Sequence, residues 1–268
     1  MPRRRSEAWP AARRPAVRAP VLRERVHERD LVRICGLAAV GALFARDPAR
    51  AERLFFEPAL AVELTESRRA LAAVRKPYRE IDAAELARVA GTVRHGGVVA
   101  IARPRPVLPL DAERAALWAR NGRPIVILDG IANPHNLGAI ARSAAFFGIE
   151  RIILADRRDQ ALPSDASYRI AEGGLEYVSL YRADLAQDLP ALKRGYRILG
   201  TALEGDAPLR PTRGGRPAAL ILGNEENGMS PATLPLCDAV VTIPGGGTVQ
   251  SLNVAVAAGV LLYALTSV

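Results

Sequence analysis

The sequence predicts an α/β protein in which a mostly parallel sheet fills the C-terminal part and a smaller α/β unit precedes it. Short apolar runs typical of buried strands alternate with helical patterns throughout residues 125–268, and such alternation indicates parallel β-α-β units. A stretch with three prolines in six positions, residues 104–109, excludes a continuous helix or an inner strand. With 268 residues, 49% of them hydrophobic, the chain can bury the cores of two such units.

The first unit, residues 30–102, shows a short alternation of helix and strand patterns. The predicted elements are a helix around residues 37–44, a strand at 53–56, a helix around 60–71, a helix at 82–89 and a strand at 98–101. Asp82 is placed to cap the third helix, and Gly91 to end it. The proline-containing segment at residues 103–112 is the predicted linker.

The second unit, residues 113–268, repeats the pattern with greater regularity. Its predicted strands lie at residues 125–128, 151–154, 177–180, 196–201, 218–222 and 239–243, and its predicted helices lie at 137–147, near 166, from 184 and from 252. Helices are expected on both faces of this sheet. Because ligands of such sheets bind beyond the carboxyl ends of the strands, the expected site lies in the loops at 130–136, 201–204, 223–230 and 244–251.

The formal net charge of +9 favours a polyanionic partner, because clustered cations bind phosphates by releasing condensed counterions. Nucleic acid is the first expectation, and an anionic membrane surface is the second. Residues 1–29 hold nine arginines and four prolines and are predicted to form a disordered basic arm, which either binds the polyanion or is only a solvated tail. No signal peptide or membrane-spanning segment is expected, and two distant cysteines predict reduced thiols in a cytoplasmic protein.

Two of the expected loops carry polar residues that call for an explanation. Asn136 and Arg142 are six residues apart, so they lie nearly two turns along one helix and can reach one crevice. Taken alone, an N-cap role for Asn136 and a surface position for Arg142 are the simpler interpretation. Glu225 follows a fully apolar strand, where a carboxylate requires a partner or a task. Ser230 before Pro231 resembles a helix N-cap and is interpreted as structural.

The glycine-rich loop after residue 243 does not match a dinucleotide-binding fingerprint. Gly245 and Gly247 have the required spacing, but Gln250 stands where a third glycine is required, which disfavours a nucleotide-dependent oxidoreductase. Ser251 can cap the last helix, and Asn253 can bond locally in its first turn. The three histidines and two cysteines form no ligand pattern, so no metal is predicted; His135 is interpreted as a turn residue.

Together, the three loops resemble the motifs of the SpoU/TrmH family of SPOUT RNA methyltransferases, in family order and spacing, over residues 124–265. The first motif corresponds to Asn136 and Arg142, the second to Gly223 through Glu225, and the third to Ile243-Pro244 with Ser251-Leu252-Asn253. Residues 30–102 resemble, more loosely, the ribosomal-protein-like domain that binds substrate in that family. Their loop at 91–97 would be its closing loop, with Arg94 where an aromatic or amide residue is expected.

The resemblance implies an enzyme that uses S-adenosylmethionine to methylate a ribose 2′-hydroxyl of tRNA or rRNA. It also implies a deep trefoil knot in the C-terminal domain and a homodimer whose sites combine both subunits. The cofactor would be held largely by backbone groups of Gly223, Ile243 and Leu252, with Thr201 as a further candidate. Gly245 and Gln250 depart from the family's usual Met and Glu, which changes the shape of the loop and no predicted catalytic side chain.

The resemblance assigns catalysis to Arg142, Asn136, Glu225, Ser251 and Asn253. A guanidinium stays protonated under ordinary conditions, so Arg142 is expected to bind a phosphate and the developing alkoxide and not to accept a proton. The other four residues are expected to orient the ribose and Arg142. A non-catalytic RNA-binding relative of the same fold and a SPOUT base methyltransferase are the alternatives.

Overall fold

A computed structural model describes residue 27 and residues 30–203, 207–208 and 215–267. Apart from His27, the predicted basic arm at residues 1–29 lies outside the described residues. Glu204, the last residue of one predicted site loop, lies outside them too. Within the described part the chain forms two sheets, one of four strands and one of eight.

The N-terminal unit is a four-stranded sheet with helices on both faces. Its strands are β1 (Val32–Cys35), β2 (Ala51–Phe56), β3 (Tyr78–Glu80) and β4 (Val98–Ala102), and its helices are α1 (Leu37–Arg46), α2 (Thr65–Ala73) and α3 (Ala83–Ala90). In the order β1-β4-β2-β3, β4 is antiparallel to both of its neighbours and β3 is parallel to β2. The predicted cap of α3 is confirmed, because the Asp82 side chain accepts from the Glu85 N–H and Gly91 ends the helix with φ 67.

Three predictions for this unit are incomplete or wrong. β1 and β3 are edge strands that the sequence pattern did not indicate, since β3 has only three residues and all of them are exposed. The helix predicted around residues 60–71 is divided into a 3-10 turn, Pro58–Leu60, and α2, which begins only at Thr65. Such short segments take their conformation from the strand beside them, and periodicity alone does not reveal them.

The C-terminal part contains the predicted parallel sheet. Its strands are β5 (Val107–Pro109), β6 (Ile125–Asp129), β7 (Arg151–Ala155), β8 (Ser179–Ala183), β9 (Arg197–Thr201), β10 (Ala207–Pro208), β11 (Ala218–Gly223) and β12 (Ala239–Thr242), and its helices are α4 (Ala112–Ala116), α5 (Pro134–Phe146), α6 (Asp165–Ala171), α7 (Leu185–Leu192) and α8 (Val254–Thr266). The order is β10-β12-β9-β11-β6-β7-β8-β5, and every pairing is parallel. The parallel α/β fold is thereby confirmed.

Helices cover both faces of this sheet because alternate residues of each inner strand point to opposite sides. In β6, Val126 and Leu128 belong to the cluster that includes residues of α5, α6 and α8. Ile125 and Ile127 of the same strand belong to a second cluster with residues of α4 and α7. The central strands therefore bury apolar residues on both of their faces, as the apolar runs in the sequence indicate.

Two boundaries in this part differ from the prediction. β5 lies within the predicted proline-rich linker, and it is an edge strand, where prolines are tolerated. The strand predicted at 177–180 begins two residues too early, because a 3-10 turn, Gly174–Glu176, precedes β8. Helix α4 and the 3-10 helix Leu117–Asn121 were not predicted.

The starts of the site helices also correct the sequence interpretation. α5 begins at Pro134 with Asn133 as its N-cap, so Asn136 is not the cap and His135 lies in the first helical turn. α8 begins at Val254 with Asn253, and not Ser251, as its N-cap.

Ser230 does not start the expected helix. Its hydroxyl accepts from the Ala232 N–H at 3.3 Å, as a cap would. The chain then forms a turn and the short 3-10 helix Leu234–Leu236, and not an α-helix starting at Pro231. Ser230 therefore makes the hydrogen bond of a helix N-cap, but no α-helix follows it.

The two sheets share one hydrophobic core. Ile34, Val40 and Leu54 of the N-terminal unit belong to the same buried cluster as Leu137 and Tyr168 of the C-terminal part. β1, an edge strand, is tied to the start of α6 by Asp165, whose carboxylate accepts from the Arg33 backbone N–H at 2.8 Å and from Arg33 Nη1 at 2.9 Å. The N-terminal unit is therefore packed against the parallel-sheet domain over a continuous surface.

A buried ion pair reinforces this contact. Arg50, just before β2, donates from Nη1 to Glu176 Oε2 at 2.5 Å and from Nη2 to Glu176 Oε1 at 3.1 Å. The Arg50 side chain is 6% exposed and that of Glu176 is 0% exposed. Arg50 Nη2 also donates to the Tyr168 hydroxyl at 3.2 Å, and burial raises the pKa of Tyr168 to about 12, so this phenol stays neutral beside the pair.

None of the described helices is long and apolar enough to cross a membrane. Cys35 and Cys237 are free thiols, and both are partly buried. Desolvation raises the pKa of Cys35 to about 11 and also raises the pKa of Cys237. Both thiols are therefore protonated at neutral pH.

We expect Arg50→Ala to lower the free energy of unfolding by about 3–5 kcal/mol, because it leaves the Glu176 carboxylate buried without its partner. The double variant Arg50→Met/Glu176→Leu should recover most of this loss, since two apolar side chains require no partner. Urea unfolding followed by tryptophan fluorescence measures both changes.

The matched control is Arg123→Ala, which removes an exposed ion pair with Glu150 at 2.7 Å. Its expected effect is below about 1 kcal/mol. Equal losses in Arg50→Ala and Arg123→Ala would show that the buried pair does not join the units.

Candidate active site

The candidate site lies where four neighbouring strands of the parallel sheet end. The order β12-β9-β11-β6 brings the carboxyl ends of these strands to one edge. The loops after these strands are the ones that the sequence predicts to hold the ligand site. Glu204, the last residue of one of them, lies outside the described residues. A concave edge of this kind is the usual ligand site of a parallel sheet.

A cavity of about 990 Å³ opens at this edge. It is lined by residues 201–203, 222–229 and 241–254, together with Leu234, Ala257 and Leu261. All four residues expected to hold a cofactor are among them: Thr201, Gly223, Ile243 and Leu252. The Thr201 hydroxyl donates to the Ile221 carbonyl at 2.9 Å, so its side chain is bound to the sheet.

Gly223 ends β11, and no other residue fits there. A Cβ on Gly223 would lie 2.3 Å from the backbone nitrogen of Met229 and 2.4 Å from the carbonyl carbon of Gly228. The loop folds back on itself because Asn224 and Gly228 exchange backbone hydrogen bonds, both at 2.9 Å. The glycine thus permits a tight turn that brings Glu225 back towards α5.

Three side chains, one from α5 and two from the loops after β11 and β12, form one hydrogen-bonded chain beside the cavity. Asn253 Nδ2 donates to Asn136 Oδ1 at 3.1 Å, and Asn136 Nδ2 donates to Glu225 Oε1 at 2.7 Å. The other carboxylate oxygen of Glu225 accepts from the Ala132 N–H at 3.4 Å. Glu225 therefore has the partner that its position after a buried strand required.

The groups at the two ends of this hydrogen-bonded chain fix the orientation of the Asn136 and Asn253 amides. An ionised carboxylate only accepts, so Asn136 must direct its NH₂ group at Glu225 and its oxygen at Asn253. At the other end Asn253 Oδ1 accepts from the N–H groups of Ala255 and Val256, which only donate. The side chains of the site are therefore preorganised, from Asn253 at the N-terminus of α8 to the Glu225 carboxylate.

Arg142 is not brought together with the other candidates within one chain. It lies on α5, as predicted, but it is six residues beyond Asn136, about 9 Å along the helix axis. It is absent from the residues that line the cavity, and its Nη2 lies 2.9 Å from Glu172 Oε2 on the surface. Ser251 does line the cavity and is exposed.

Sequence reasoning missed three residues that hold the loops in place. Asp129, 1% exposed, accepts from the Ser230 N–H at 2.8 Å and pairs with Arg157 at 3.2 Å. Gln160 accepts from the N–H groups of Gly130 and Ile131 at 3.0 and 3.2 Å. Asn224 donates from Nδ2 to the Gly130 carbonyl at 2.8 Å.

Only one of these three residues carried a usable signal in the sequence. Asp129 is the last residue of an otherwise apolar strand, and Glu225 comes just after another. A carboxylate in either position needs a partner, so the sequence could have indicated Asp129 as well. Its partner Arg157 is also hydrogen-bonded to Asp159, which raises the pKa of Arg157 and lowers that of Asp159. Asn224 and Gln160 had no signal that pointed to these contacts.

We expect Asn136→Asp to destabilise the protein by about 2 kcal/mol at neutral pH, because it replaces an amide donor with a second carboxylate beside Glu225. Two adjacent carboxylates raise the pKa of one of them above its unfolded value. In the variant, the stability that comes with this raised pKa is present at low pH and is lost as the pH rises through the pKa of the folded state.

The deficit of Asn136→Asp relative to wild type should therefore be larger at pH 8 than at pH 5, as measured by urea unfolding at both values. Asn121→Asp is the control, because Asn121 is exposed and its side chain only accepts from the Arg123 N–H. A deficit that is the same at both pH values would contradict the contact between Asn136 and Glu225.

The chain is similar to known RNA methyltransferases. The family model described as the SpoU rRNA Methylase family matches residues 123–263, and the model described as RNA 2′-O ribose methyltransferase substrate binding matches residues 33–108. The chain is 35% identical over 240 residues to the 23S rRNA (guanosine-2′-O-)-methyltransferase RlmB of Pseudomonas aeruginosa, covering 86% of this chain and 94% of that protein.

A second relative is the uncharacterized tRNA/rRNA methyltransferase YfiF of Escherichia coli O157:H7. It is 34% identical over 242 residues, which cover 90% of this chain and 68% of that protein. Among solved structures, the AdoMet-bound rRNA methyltransferase from Sinorhizobium meliloti shares the fold with a TM-score of 0.71 at 23% identity. That alignment covers 88% of this chain and 87% of the other.

Proposed function

The chain belongs to the SpoU rRNA methylase family, and from this premise we propose that it transfers a methyl group from S-adenosylmethionine to a ribose 2′-hydroxyl of rRNA or tRNA. What supports this function most is the hydrogen-bonded chain of Asn253, Asn136 and Glu225 at the rim of the cavity. It unites one side chain from each of the three motifs. RlmB relatives are named for a guanosine ribose of 23S rRNA, which makes rRNA the first substrate to test.

The cavity has the size and the chemistry that S-adenosylmethionine requires. Its volume of about 990 Å³ is at the upper end of the range for small-molecule sites. Backbone groups of Gly223, Ile243 and Leu252, with those of Thr201, would hold the cofactor, and Leu203, Leu234 and Val241 offer apolar walls for its base. When bound, the cofactor supplies an activated methyl group on a sulfonium.

The side chains of this chain would position the ribose. Asn136 and Asn253 are already oriented by their neighbours, so no reorganisation is needed as the substrate enters. Glu225 holds Asn136, and Ser251 is exposed at the cavity for contact with the ribose or its phosphate. The hydroxyl proton is released to solvent, and the guanidinium of Arg142 stabilises the oxygen as it loses the proton.

We infer that the active form is a homodimer in which Arg142 serves the partner's cavity. Arg142 does not line the cavity of its own chain. It lies one helical turn from Phe146, which is 83% exposed, and α8 beside it exposes Val256, Val260 and Tyr263. A contiguous apolar surface of this kind marks an interface, and it begins at the cavity because Asn253, the N-cap of α8, lines the cavity.

The proposed RNA contacts are shared between the first unit, residues 30–102, and the basic arm. Residues 30–108 contain thirteen Lys and Arg against nine Asp and Glu, whereas residues 109–268 contain fifteen against sixteen. The net positive charge is therefore carried by the N-terminal part of the chain. Phosphate contacts by this part would place the target ribose at the cavity edge.

We also propose that the C-terminal domain, residues 113–268 after the linker at 103–112, forms a trefoil knot and that the protein is cytoplasmic. The knot is supported by the path of the chain after β12. β9 separates β12 from β11, yet α8 packs on both β11 and α5. The segment between β12 and α8 thus crosses back beside the loop after β11, with which it lines one cavity.

The decisive experiment incubates the protein with labelled S-adenosylmethionine and total RNA and maps nucleotides that resist alkaline cleavage. We expect label in rRNA or tRNA at a position that becomes resistant, because a 2′-O-methyl group blocks that cleavage. Label in bases would instead indicate a base methyltransferase. Cofactor binding by calorimetry without any transfer to RNA would indicate a non-catalytic RNA-binding relative.

Arg142→Lys is expected to lower kcat about a hundredfold with little change in the KM for S-adenosylmethionine, because an ammonium lacks the planar fork of donors. Steady-state methyl transfer to the mapped RNA measures both constants. Near-normal turnover with intact RNA affinity would rule out the bidentate role.

Mixing two inactive variants tests the shared site. Arg142→Ala and Glu225→Gln should each be inactive alone, but a 1:1 mixture, reassociated after mild denaturation, should recover about a quarter of wild-type activity, because half of the dimers are mixed and each has one intact site. Sedimentation confirms that the mixture is dimeric. A site built by one chain alone would give no recovery.

A further inference from the structure

Glu172 ends helix α6 in a left-handed backbone conformation, with φ 44 and ψ 44. Among the described residues, only Glu172 and Arg75 combine a side chain with a positive φ. Glycine adopts this conformation freely, whereas a residue with a Cβ is strained in it. Such strain at a single position points to a function for the side chain.

The side chain of Glu172 contacts Arg142. Its Oε2 lies 2.9 Å from Arg142 Nη2, and the two side chains are 59% and 55% exposed. An ion pair with that much exposure contributes little to folding stability. Stability therefore does not explain why a strained glutamate is present here.

The backbone that carries Glu172 is wedged between the two units. A Cβ on Gly174 would lie 2.7 Å from Arg142 Cα, so this segment touches α5 directly at the turn that carries Arg142. A Cβ on Gly173 would lie 3.0 Å from Ala42 Cβ of α1. Three residues beyond Gly173, Glu176 is held by Arg50 of the N-terminal unit. The segment at residues 172–176 therefore has little freedom to move relative to either unit.

We propose that Glu172 is a positioning residue that holds the Arg142 guanidinium, and that the docked N-terminal unit fixes it there. This inference rests on the proposed function of Arg142. A guanidinium has five N–H donors, so a single contact through Nη2 fixes its direction and leaves donors for a phosphate and the ribose oxygen. The N-terminal unit, which is proposed to bind RNA, thereby also sets the position of the Arg142 guanidinium that acts on the RNA.

Glu172→Gly separates a positioning role from a structural one. The variant relieves the backbone strain, so Tm should stay the same or rise by about 2 °C. It also frees Arg142, so kcat for RNA methylation should fall about fivefold, with the KM for S-adenosylmethionine unchanged. In an Arg142→Lys background the same change should lower kcat less than about twofold, because the effect passes through Arg142.

Arg75→Gly is the matched control for strain, because it removes the other positive-φ side chain, in the N-terminal unit. It should raise Tm similarly. The Nε–H resonance of Arg142, assigned by its absence in Arg142→Lys, should move towards that of a free guanidinium in Glu172→Gly and stay in place in Arg75→Gly.

Three results would overturn the inference: wild-type kcat in Glu172→Gly, a fall in Tm parallel to the fall in kcat, or an unmoved Arg142 resonance. The resonance reports on Glu172 even if no RNA is methylated. An inactive wild-type protein with a shifted resonance would thus contradict the proposed function and not this contact. An active wild-type protein with an unmoved resonance would contradict this contact alone.

Discussion

The parallel pairing of β6 with β11 is the constraint on which the site depends. Its register places Leu222 opposite Leu128 and Gly223 opposite Asp129, so both strands end at the same level. The two loops after these strands start side by side, and Glu225 comes within reach of Asn136. A slip of one residue would exchange the two faces of a strand that is apolar on both sides and would separate these loops.

The polar groups beyond this pairing keep the loops in place. Asp129 holds the backbone of Ser230, and Asn224 holds the carbonyl of Gly130, so each loop is anchored to the other strand's end. The amide chain from Asn253 to Glu225 then joins the third loop to the first two. Asn136, the buried member of this hydrogen-bonded chain, has a partner on each side, so its burial carries no unpaired cost.

The N-terminal unit is tied to this arrangement through its core contact and the Arg50–Glu176 pair. A buried ion pair is weak evidence for stability, since its attraction is offset by desolvation, but it strongly disfavours any docking that leaves one charge alone. This unit therefore has a defined orientation on the parallel-sheet domain. The consequence for function is that bound RNA would meet the cavity and Arg142 at a fixed geometry.

Local patterns in the sequence predict the parallel α/β class, the inner strands and the loops that carry the site, because apolar runs and helical spacing involve only neighbouring residues. Residue types and motif resemblance also selected Asn136, Glu225 and Asn253. Edge strands such as β3 and the contacts of Gln160 were decided only by the tertiary structure. Each depends on a neighbour distant in sequence, as Gln160 contacts Gly130 from 30 positions further along the chain. The separation of Arg142 from the other site residues is of the same kind: helical spacing placed it on α5 with Asn136, but only the packed chain decided which surface its side chain faces.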